Sequence, residues 1–319
     1  IWTGRYLDDD NVRYFNYSAS GFEFSFCGTK AQSLILSNPK DHGDNVAVIA
    51  VFIAKYGEDY PAEPEKRIVL SESVNEITLF ESEKKQKVSV KVMKFSEVAF
   101  AYAGLKSLEI DGKLLKSKEN RNAPKIEFIG DSITCGYGIE GKWGEDTFST
   151  KTERPDLAYA YKTCQKLKAD YSLVSWSGIG ITSTYIEPEI SDPDNLWTMD
   201  RMWPYTDRKL SLTLKKEPEI WDESKFSPDV VVINIGTNDN SWVRGDSGKT
   251  KVYISAYRSL LEAVHRRSPD AKICCCLGIM GQYLAKTYME TKKRPARASR
   301  RTVITVAVLV IMIIGTLTV

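Results

Sequence analysis

The first part of the chain alternates apolar and polar positions in the manner of β-strands. Phe22, Phe24 and Phe26 share one face of a predicted strand, and short apolar runs recur between clusters of Gly, Asp, Asn and Pro. No long helical pattern lies between these runs. Residues 1–117 therefore predict an antiparallel β-sandwich domain.

The pattern changes after a polar segment at residues 118–124, which we interpret as a linker. Beyond it, apolar runs of strand length alternate with amphipathic helical patterns. The predicted strands cover residues 126–129, 171–175, 230–235 and 272–277, and the predicted helices cover residues 157–169 and 252–267. This alternation predicts a parallel α/β sheet, in a domain that we assign to residues 125–281.

The remaining residues, 282–319, follow neither pattern. A basic cluster at residues 292–301 precedes an uncharged apolar segment, residues 302–319, whose length is at the lower edge of what spans a bilayer. One interpretation is a membrane anchor with the basic cluster on the cytoplasmic side. The other is a segment foreign to the fold, produced by a shifted reading frame. We favour the second, because losing the last strand and helix leaves a sheet edge uncovered, and a membrane partner is expected only if residues 302–319 are genuine.

Composition narrows the class of protein without naming a partner. The chain has 319 residues, 42% hydrophobic and 27% charged, as in a globular protein with two domains of ordinary size. Forty-four basic and 42 acidic residues leave a net charge of +2, which is too small to argue for a nucleic-acid partner. The chain begins at Ile1 without a signal peptide, so we expect a processed or fragmentary start.

Cysteine and histidine usage bears on metal chemistry. Cys274, Cys275 and Cys276 are consecutive in an apolar run, which favours core packing over a disulfide framework. The two histidines of the chain are His42 and His265, and neither CxxC nor HExxH occurs, so a histidine-rich metal site is excluded. We expect no cofactor and no metal.

One stretch, FIGDSITCGYGIEG at residues 128–141, supports two incompatible interpretations. Its later glycines have the spacing of a dinucleotide-binding turn. That turn requires the first glycine at the strand end and an acidic residue closing the next strand, whereas here the strand ends at Gly130, before Gly136, and the next strand ends in Ser-Trp-Ser-Gly. We therefore interpret the glycines as loop residues.

The second interpretation is a serine nucleophile, Ser132, at a strand-to-helix turn. Its own backbone N–H, beside the positive end of a helix, can help to hold a developing oxyanion. Gly178 and Asn238 each follow one of the next two predicted strands, so all three residues are expected at the carboxyl edge of one parallel sheet.

The segments GDSIT, SGIG and GTND, in this order and spacing, resemble the first three sequence blocks of the SGNH (GDSL-type) hydrolases. The preceding all-β region, with GRY and SGFEFSFCGT, resembles the two-domain acetylesterases of carbohydrate esterase family 2. The resemblance extends over about residues 1–281. It implies a jelly-roll sandwich followed by a three-layer α/β/α domain. It also implies Ser132 as nucleophile and oxyanion donor, with the Gly178 N–H and the Asn238 side-chain amide as further donors.

Each of these residues has an ordinary alternative. The GDS segment can be a turn with Asp131 as a helix cap, and Gly178 and Asn238 can be turn residues. Trp242, four residues after Asn238, is placed to stack on a sugar ring, although most tryptophans serve packing. Cys135 is expected to be a small buried residue and not the reactive group.

The family pattern ends with an Asp-x-x-His block whose histidine takes the serine proton, and no histidine follows His265 here. Two functions remain open. One is an esterase that removes O-acetyl groups from plant polysaccharides or oligosaccharides and is impaired by the missing histidine. The other is a non-catalytic carbohydrate-binding or membrane-tethered protein. The resemblance also suggests secretion.

Overall fold

The structure, a computed structural model, describes residues 1–116, 122–142 and 144–276. The strands are β1 (Trp2–Thr3), β2 (Leu7–Asp9), β3 (Val12–Tyr14), β4 (Gly21–Leu36), β5 (Val48–Lys55), β6 (Lys66–Val69), β7 (Val74–Lys94), β8 (Gly104–Ile110), β9 (Lys113–Leu115), β10 (Lys125–Gly130), β11 (Asp170–Ser175), β12 (Val230–Asn234) and β13 (Lys272–Cys275). The α-helices are α1 (Ser132–Cys135), α2 (Tyr159–Leu167), α3 (Met199–Met202), α4 (Arg208–Thr213), α5 (Asn240–Val243) and α6 (Ser247–Arg267). Short 3-10 helices lie at Pro39–Asp41, Thr150–Thr152 and Glu223–Lys225.

The first nine strands form one antiparallel sheet, in the order β2-β3-β8-β4-β7-β5-β6, with β1 and β9 also paired to β4. The predicted face of Phe22, Phe24 and Phe26 is confirmed, because these rings are at most 7% exposed and pack in one core cluster with the apolar side chains of β5 and β7. The N-terminal region is thus all-β, as predicted.

The last four strands form a parallel sheet in the order β11-β10-β12-β13. The register places Gly130, at the end of β10, opposite Ser175 of β11 and Asn234 of β12. Because these strands run in the same direction and end at the same level, the three loops that follow them meet at one edge of the sheet. The parallel sheet predicted for the α/β region is confirmed.

The longest helix, α6, begins five positions before the predicted start at Val252. Asp246 caps it by accepting a hydrogen bond from the Lys249 N–H at 2.8 Å, which satisfies a donor that the first turn would leave free. The helix buries Tyr253, Tyr257 and Val264 against the sheet. The apolar periodicity therefore located the buried face but not the cap.

The two regions share their hydrophobic cores. Phe95 and Met93 of the β-region pack with Phe128 and Leu173 of the parallel sheet, and Val98 packs with Ile129. A buried ion pair between Arg5 and Glu127, 2.9 Å apart, joins the N-terminal segment to β10. The two predicted domains are thus packed together through apolar contacts as well as charges.

Several finer expectations stay predictions. The sheet order does not establish a jelly roll, and the boundaries at residues 117, 124 and 281 are not tested by the structure. The apolar segment at residues 302–319 lies outside the described residues. Among the residues that the structure describes, no helix is long and apolar enough to cross a membrane.

Candidate active site

Ser132 lies directly beyond the end of β10, at the carboxyl edge of the parallel sheet. Gly130 is required before it, because a Cβ there would lie 2.0 Å from Oγ1 of Thr134. Asp131 caps the following turn by accepting from the Ile133 N–H at 3.1 Å, which confirms the capping role that its sequence position allowed. The tight turn leaves the Ser132 side chain half-buried at the surface of this edge.

The helix that carries Ser132 is a single turn of four residues, Ser132–Cys135. Its macrodipole is correspondingly small, so oxyanion stabilisation here depends on individual N–H groups more than on the helix. Cys135 is fully buried and its thiol lies 3.2 Å from Oγ of Ser175, and burial raises the pKa of this thiol well above its ordinary value. These facts fit the packing role predicted for Cys135.

Gly178 lies in the loop after β11 with a φ of +78°, a conformation that favours glycine. The Gly178 carbonyl accepts a hydrogen bond from the Tyr185 N–H at 2.7 Å. Within the described ranges, the Gly178 N–H has no hydrogen-bond partner. The loop is therefore fixed through its carbonyl while one amide donor is left available.

Asn238 lies in the loop after β12, and its Nδ2 donates to the Ile179 carbonyl at 2.8 Å. This hydrogen bond joins the third loop to the residue next to Gly178. A side-chain amide nitrogen carries two hydrogens, so Nδ2 retains a second N–H for another acceptor. Gly178 and Asn238, predicted to meet at the sheet edge, thus lie on two loops that are bonded to each other.

Asp239 is a residue that the sequence analysis missed. Its buried carboxylate accepts from the backbone N–H groups of Ile181 (2.9 Å), Thr182 (2.6 Å) and Ser183 (3.3 Å) and from the Thr182 hydroxyl. It thereby fixes the turn that follows Gly178. The signal in the sequence was its position beside Asn238 in GTND, but the partners lie more than fifty residues away.

The carboxyl groups at this edge are strongly affected by burial. Burial raises the pKa of Asp131 to about 6, against the lowering effect of its hydrogen bond from Ile133. Burial also raises the pKa of Asp239, and the hydrogen bonds from Thr182, Ile181 and Ser183 oppose this effect. The environment is therefore poorly solvated, and hydrogen bonds to a developing negative charge are stronger there than in water.

Neither histidine belongs to the three loops of the site. His265 is exposed near the end of α6, as the sequence predicted. His42 lies in the β-region, where Nε2 is 3.1 Å from Nδ2 of Asn38 and the ring contacts Phe100 edge-on. Burial lowers the pKa of His42. A histidine base for Ser132 is not found among the residues that the structure describes.

Trp242, the predicted sugar-stacking residue, is only 8% exposed and belongs to the core of the α/β region. The Nζ of Lys249 lies 5.0 Å from its ring centroid. Little of the ring faces solvent, so this placement weighs against stacking on a sugar. Its role in binding stays a prediction.

Other aromatic side chains near the site are more exposed. Tyr137 and Tyr185 are 45% and 53% exposed, and their backbone N–H groups bond to the carbonyls of Ser132 (3.0 Å) and Gly178 (2.7 Å). Tyr137 stacks on Phe148 with ring centroids 4.7 Å apart. Neither tyrosine was predicted as a site residue, because exposure of an aromatic ring is not visible in a single sequence.

We find no metal centre in the described part of the chain, where no group of three or more His, Cys, Asp or Glu side chains is arranged to hold an ion. The three loops at this edge of the sheet carry a serine hydroxyl, the backbone N–H groups of Ser132 and Gly178, and the side-chain amide of Asn238. That set of groups suits attack on a carbonyl carbon and stabilisation of the resulting oxyanion.

Comparison with known families gives a match to the GDSL-like Lipase/Acylhydrolase family over residues 128–308. The match includes all three predicted site residues and runs past residue 281, where the sequence analysis ended the resemblance. It covers more than half of the chain.

Curated relatives and solved structures are similar to the chain. The Cellulase/esterase CelE of Acetivibrio thermocellus is 34% identical over 298 residues, which cover 91% of this chain and 33% of that protein. The Acetylxylan esterase / glucomannan deacetylase of Cellvibrio japonicus is 29% identical over 157 residues, which cover 46% of this chain and 40% of that protein. A family two carbohydrate esterase from Clostridium thermocellum, solved with cellohexaose, is 30% identical with a TM-score of 0.73. The match covers 91% of this chain and 82% of that one.

The chain therefore spans a third to two-fifths of the length of these two curated relatives. A family two carbohydrate esterase from Cellvibrio japonicus, 22% identical with a TM-score of 0.75, covers 92% of this chain and 82% of that one. This structure and the chain have the same fold.

Proposed function

Because the chain belongs to the GDSL-like lipase/acylhydrolase family, we propose that it is a serine esterase that removes O-acetyl groups from plant polysaccharides or oligosaccharides. The observation that carries the proposal is the hydrogen bond from Asn238 Nδ2 to the Ile179 carbonyl. It joins the loops of Gly178 and Asn238 at the sheet edge where Ser132 begins its turn.

In the proposed reaction, Ser132 Oγ attacks the carbonyl carbon of the acetyl group. The carbonyl oxygen becomes an oxyanion, which accepts hydrogen bonds from the N–H groups of Ser132 and Gly178 and from Nδ2 of Asn238. The bond to the sugar oxygen then breaks, the sugar hydroxyl leaves with a proton, and an acetyl-serine remains. Water attacks this ester in the same way and releases acetate.

The proton from Ser132 needs an acceptor, and the printed sequence has no histidine after His265. General-base assistance is typically worth about 10²- to 10⁴-fold in rate. Oxyanion stabilisation and binding alone can leave roughly 10³- to 10⁴-fold acceleration over water. We therefore propose that the chain as printed is an impaired esterase with faint activity.

The choice of carbohydrate rests on the relatives and on the surface near the site. One relative is named for acetylxylan and glucomannan, and one solved relative holds cellohexaose. Exposed rings such as those of Tyr137 and Tyr185 suit the apolar faces of sugars. We propose an acetylated polysaccharide or oligosaccharide as the partner and, since such polymers lie outside cells, secretion.

A second candidate is a non-catalytic carbohydrate-binding protein that keeps the shape of the site. Within the described residues the three site loops contain no histidine, which favours this candidate, because a base for Ser132 would have to come from elsewhere in the fold. The carboxyl edge of the parallel sheet would then bind carbohydrate without hydrolysing it.

The test compares the full chain with a version in which the residues after 281 are replaced by a family-like C-terminus carrying Asp-x-x-His. Acetate release from aryl acetates and from acetylated xylan is measured for both, each with its Ser132→Ala control. We expect the added histidine to raise the rate by orders of magnitude and Ser132→Ala to abolish that gain. No gain, with retained binding of oligosaccharide, would instead favour the binding protein.

A third result would correct the account of the base. Full activity in the unmodified chain that survives both His42→Ala and His265→Ala would show that another group accepts the proton. The proposal that the esterase is impaired would then be wrong, while the proposed esterase function would still hold.

A further inference from the structure

A buried carboxylate of the β-region contacts the loop that carries Gly178. Glu97, a few residues after β7, is 1% exposed, and its Oε2 accepts a hydrogen bond from the Ser177 N–H at 2.5 Å. Ser177 immediately precedes Gly178 in the chain. The amide proposed to hold the oxyanion is therefore one residue from a contact that crosses between the two regions.

Glu97 is itself held in place by its neighbours. Its backbone N–H donates to Oε2 of Glu153 at 2.9 Å, and Glu153 is fully buried. Lys94 Nζ donates to the carbonyls of Ser96 and Glu97, each at 2.9 Å. The carboxylate that contacts Ser177 thus extends from a backbone that is fixed on both its N–H and its carbonyl side.

The same cluster reaches the turn that carries Ser132. Arg154, next to Glu153, donates its backbone N–H to the Gly136 carbonyl at 3.0 Å. Gly136 is the C-cap of α1, the helix that begins at Ser132. Glu97 and Glu153 therefore connect the nucleophile turn and the Gly178 loop through the interior of the protein.

We propose that Glu97 is a positioning residue that holds the Gly178 N–H in the orientation required by the oxyanion. The inference rests on the proposed esterase function, and it adds a residue of the β-region to a site built otherwise from the α/β region.

The geometry explains why such an anchor is needed. Gly178 has a φ of +78°, and a Cβ at this position would meet nothing within 4 Å. In the described part of the chain the Tyr185 N–H holds its carbonyl, but no hydrogen bond holds its N–H. Glycine is the most flexible residue. The direction of its N–H depends on the dihedral angles of Ser177, which the bond to Glu97 restrains. A displacement of a catalytic group by about 1 Å can cost on the order of 10²-fold in rate.

The alternative, that Glu97 serves stability alone, is a poor account of its burial. Burial raises the pKa of Glu97 and raises that of Glu153, and it lowers the pKa of Lys94 to about 8. Each charged form is therefore disfavoured by this environment. Buried ion pairs are often no more stabilising than apolar side chains of the same size, so stability gives little reason to keep carboxylates here.

The experiment uses three substitutions in the full chain. Glu97→Gln keeps an oxygen acceptor at the same distance, Glu97→Asp withdraws the carboxylate by one methylene, and Glu97→Leu removes the acceptor. The matched controls are Glu127→Gln and Glu127→Asp, because Glu127 is also buried between the two regions but bonds to Arg5 and Trp203 instead of the loop. The readouts are amide hydrogen exchange of residues 176–180 and kcat and KM for an aryl acetate.

We expect Glu97→Leu and Glu97→Asp to speed exchange of residues 176–180 by about tenfold or more and to lower kcat roughly 10- to 100-fold, with KM changed less than about twofold. Glu97→Gln should stay within about threefold of the parent in both readouts, and the Glu127 variants should leave kcat and this exchange nearly unchanged. If Glu97→Leu fails to fold, Glu97→Asp carries the comparison.

Two results would overturn the inference. One is unchanged exchange and kcat in Glu97→Asp, and the other is an equal loss in Glu97→Gln and Glu97→Asp. A parent chain without Ser132-dependent hydrolysis would reject the esterase function instead, and the exchange data would still decide whether Glu97 fixes the loop.

Discussion

At the scale of single residues, the candidate site consists of hydrogen-bond donors that the fold leaves available. The Gly178 carbonyl and one Asn238 N–H are already engaged, while the Gly178 N–H and the second Asn238 N–H are not needed by the loops within the described part of the chain. Sequence order identified these residues because each follows a strand. It did not separate Trp242 from them, since burial of that ring depends on contacts far along the chain.

Asn238→Ala tests the side-chain donor. Loss of one oxyanion donor costs about 10²- to 10³-fold in kcat in related chemistry, so we expect a loss of that order in the histidine-supplied chain. Aryl acetate kinetics measure it. Asn240→Ala, two residues away at the start of α5, is the control and should change kcat less than about twofold. Equal effects of the two substitutions would contradict the donor role of Asn238.

Asp131→Asn tests the effect of burial on the carboxyl beside the nucleophile. Burial raises the pKa of Asp131 to about 6, above the unfolded value near 4, so the folded state binds the proton more tightly. The stability from this group is complete below the unfolded pKa and is lost as pH rises through about 6. Asparagine keeps the cap without titrating.

Urea unfolding at pH 4 and pH 7.5 measures this difference. We expect the parent to lose on the order of 2–3 kcal/mol more than Asp131→Asn between the two pH values, because a pKa shift of one unit corresponds to about 1.4 kcal/mol. The other buried carboxyls are present in both proteins, so most of their contribution cancels. The exception is Asp239, whose charge helps to raise the pKa of Asp131. Parallel pH curves for parent and variant would show that the pKa of Asp131 is not raised.

At the scale of elements, the strands were easier to predict than their lengths. Two apolar runs of the sequence, residues 76–80 and 88–92, belong to one strand, β7, which continues through the charged residues between them. The side chains of residues 83–87 are exposed. The backbone of Glu81, Gln86 and Lys87 pairs with β4, whereas residues 82–85 fall in a shift of the register. Pairing requires only backbone groups, so a polar segment can continue a strand that hydrophobic alternation would end. The register between β4 and β7 shifts between Gly28 and Lys30 and again between Ala31 and Gln32.

Asp239→Ala tests how the loop after β11 is held. The substitution leaves the N–H groups of Ile181, Thr182 and Ser183 without their acceptor in a buried turn. Each unsatisfied buried donor costs about 1–3 kcal/mol, so we expect a loss of roughly 3–5 kcal/mol in the free energy of unfolding. Asp246→Ala, which removes the cap of α6, should cost only about 1 kcal/mol. Similar losses in both would contradict the special role of Asp239.

At the scale of the whole molecule, the two regions depend on each other. The chain pattern predicted an all-β region and an α/β region, but it gave no sign of the buried charges between them. Lys94, Glu97 and Glu127 are charged residue types that a sequence analysis places at the surface. Their burial follows from packing the two regions together, and the partners of Glu97 and Glu127 lie far away in the sequence.

Arg5→Ala tests the ion pair between the two regions. It leaves Glu127 buried without its cation and frees the carbonyls of Trp203 and Tyr205. Breaking a buried pair typically costs about 3–5 kcal/mol, which we expect in urea unfolding. Lys30→Ala, which breaks the exposed pair with Glu81, should cost less than about 1 kcal/mol. Equal losses would show that Arg5 does not stabilise the junction.

Labelling of the full chain with a serine-directed phosphonate, followed by mass spectrometry of its peptides, tests the central claim most directly. The account predicts a single adduct on Ser132, absent in Ser132→Ala and formed at least about tenfold more slowly in Asn238→Ala, because the phosphoryl oxygen occupies the same donors as the oxyanion. Addition of the histidine-bearing C-terminus should speed the labelling. An adduct on another residue, or an equal rate in Asn238→Ala, would contradict the assignment of Ser132, Gly178 and Asn238 to one active site.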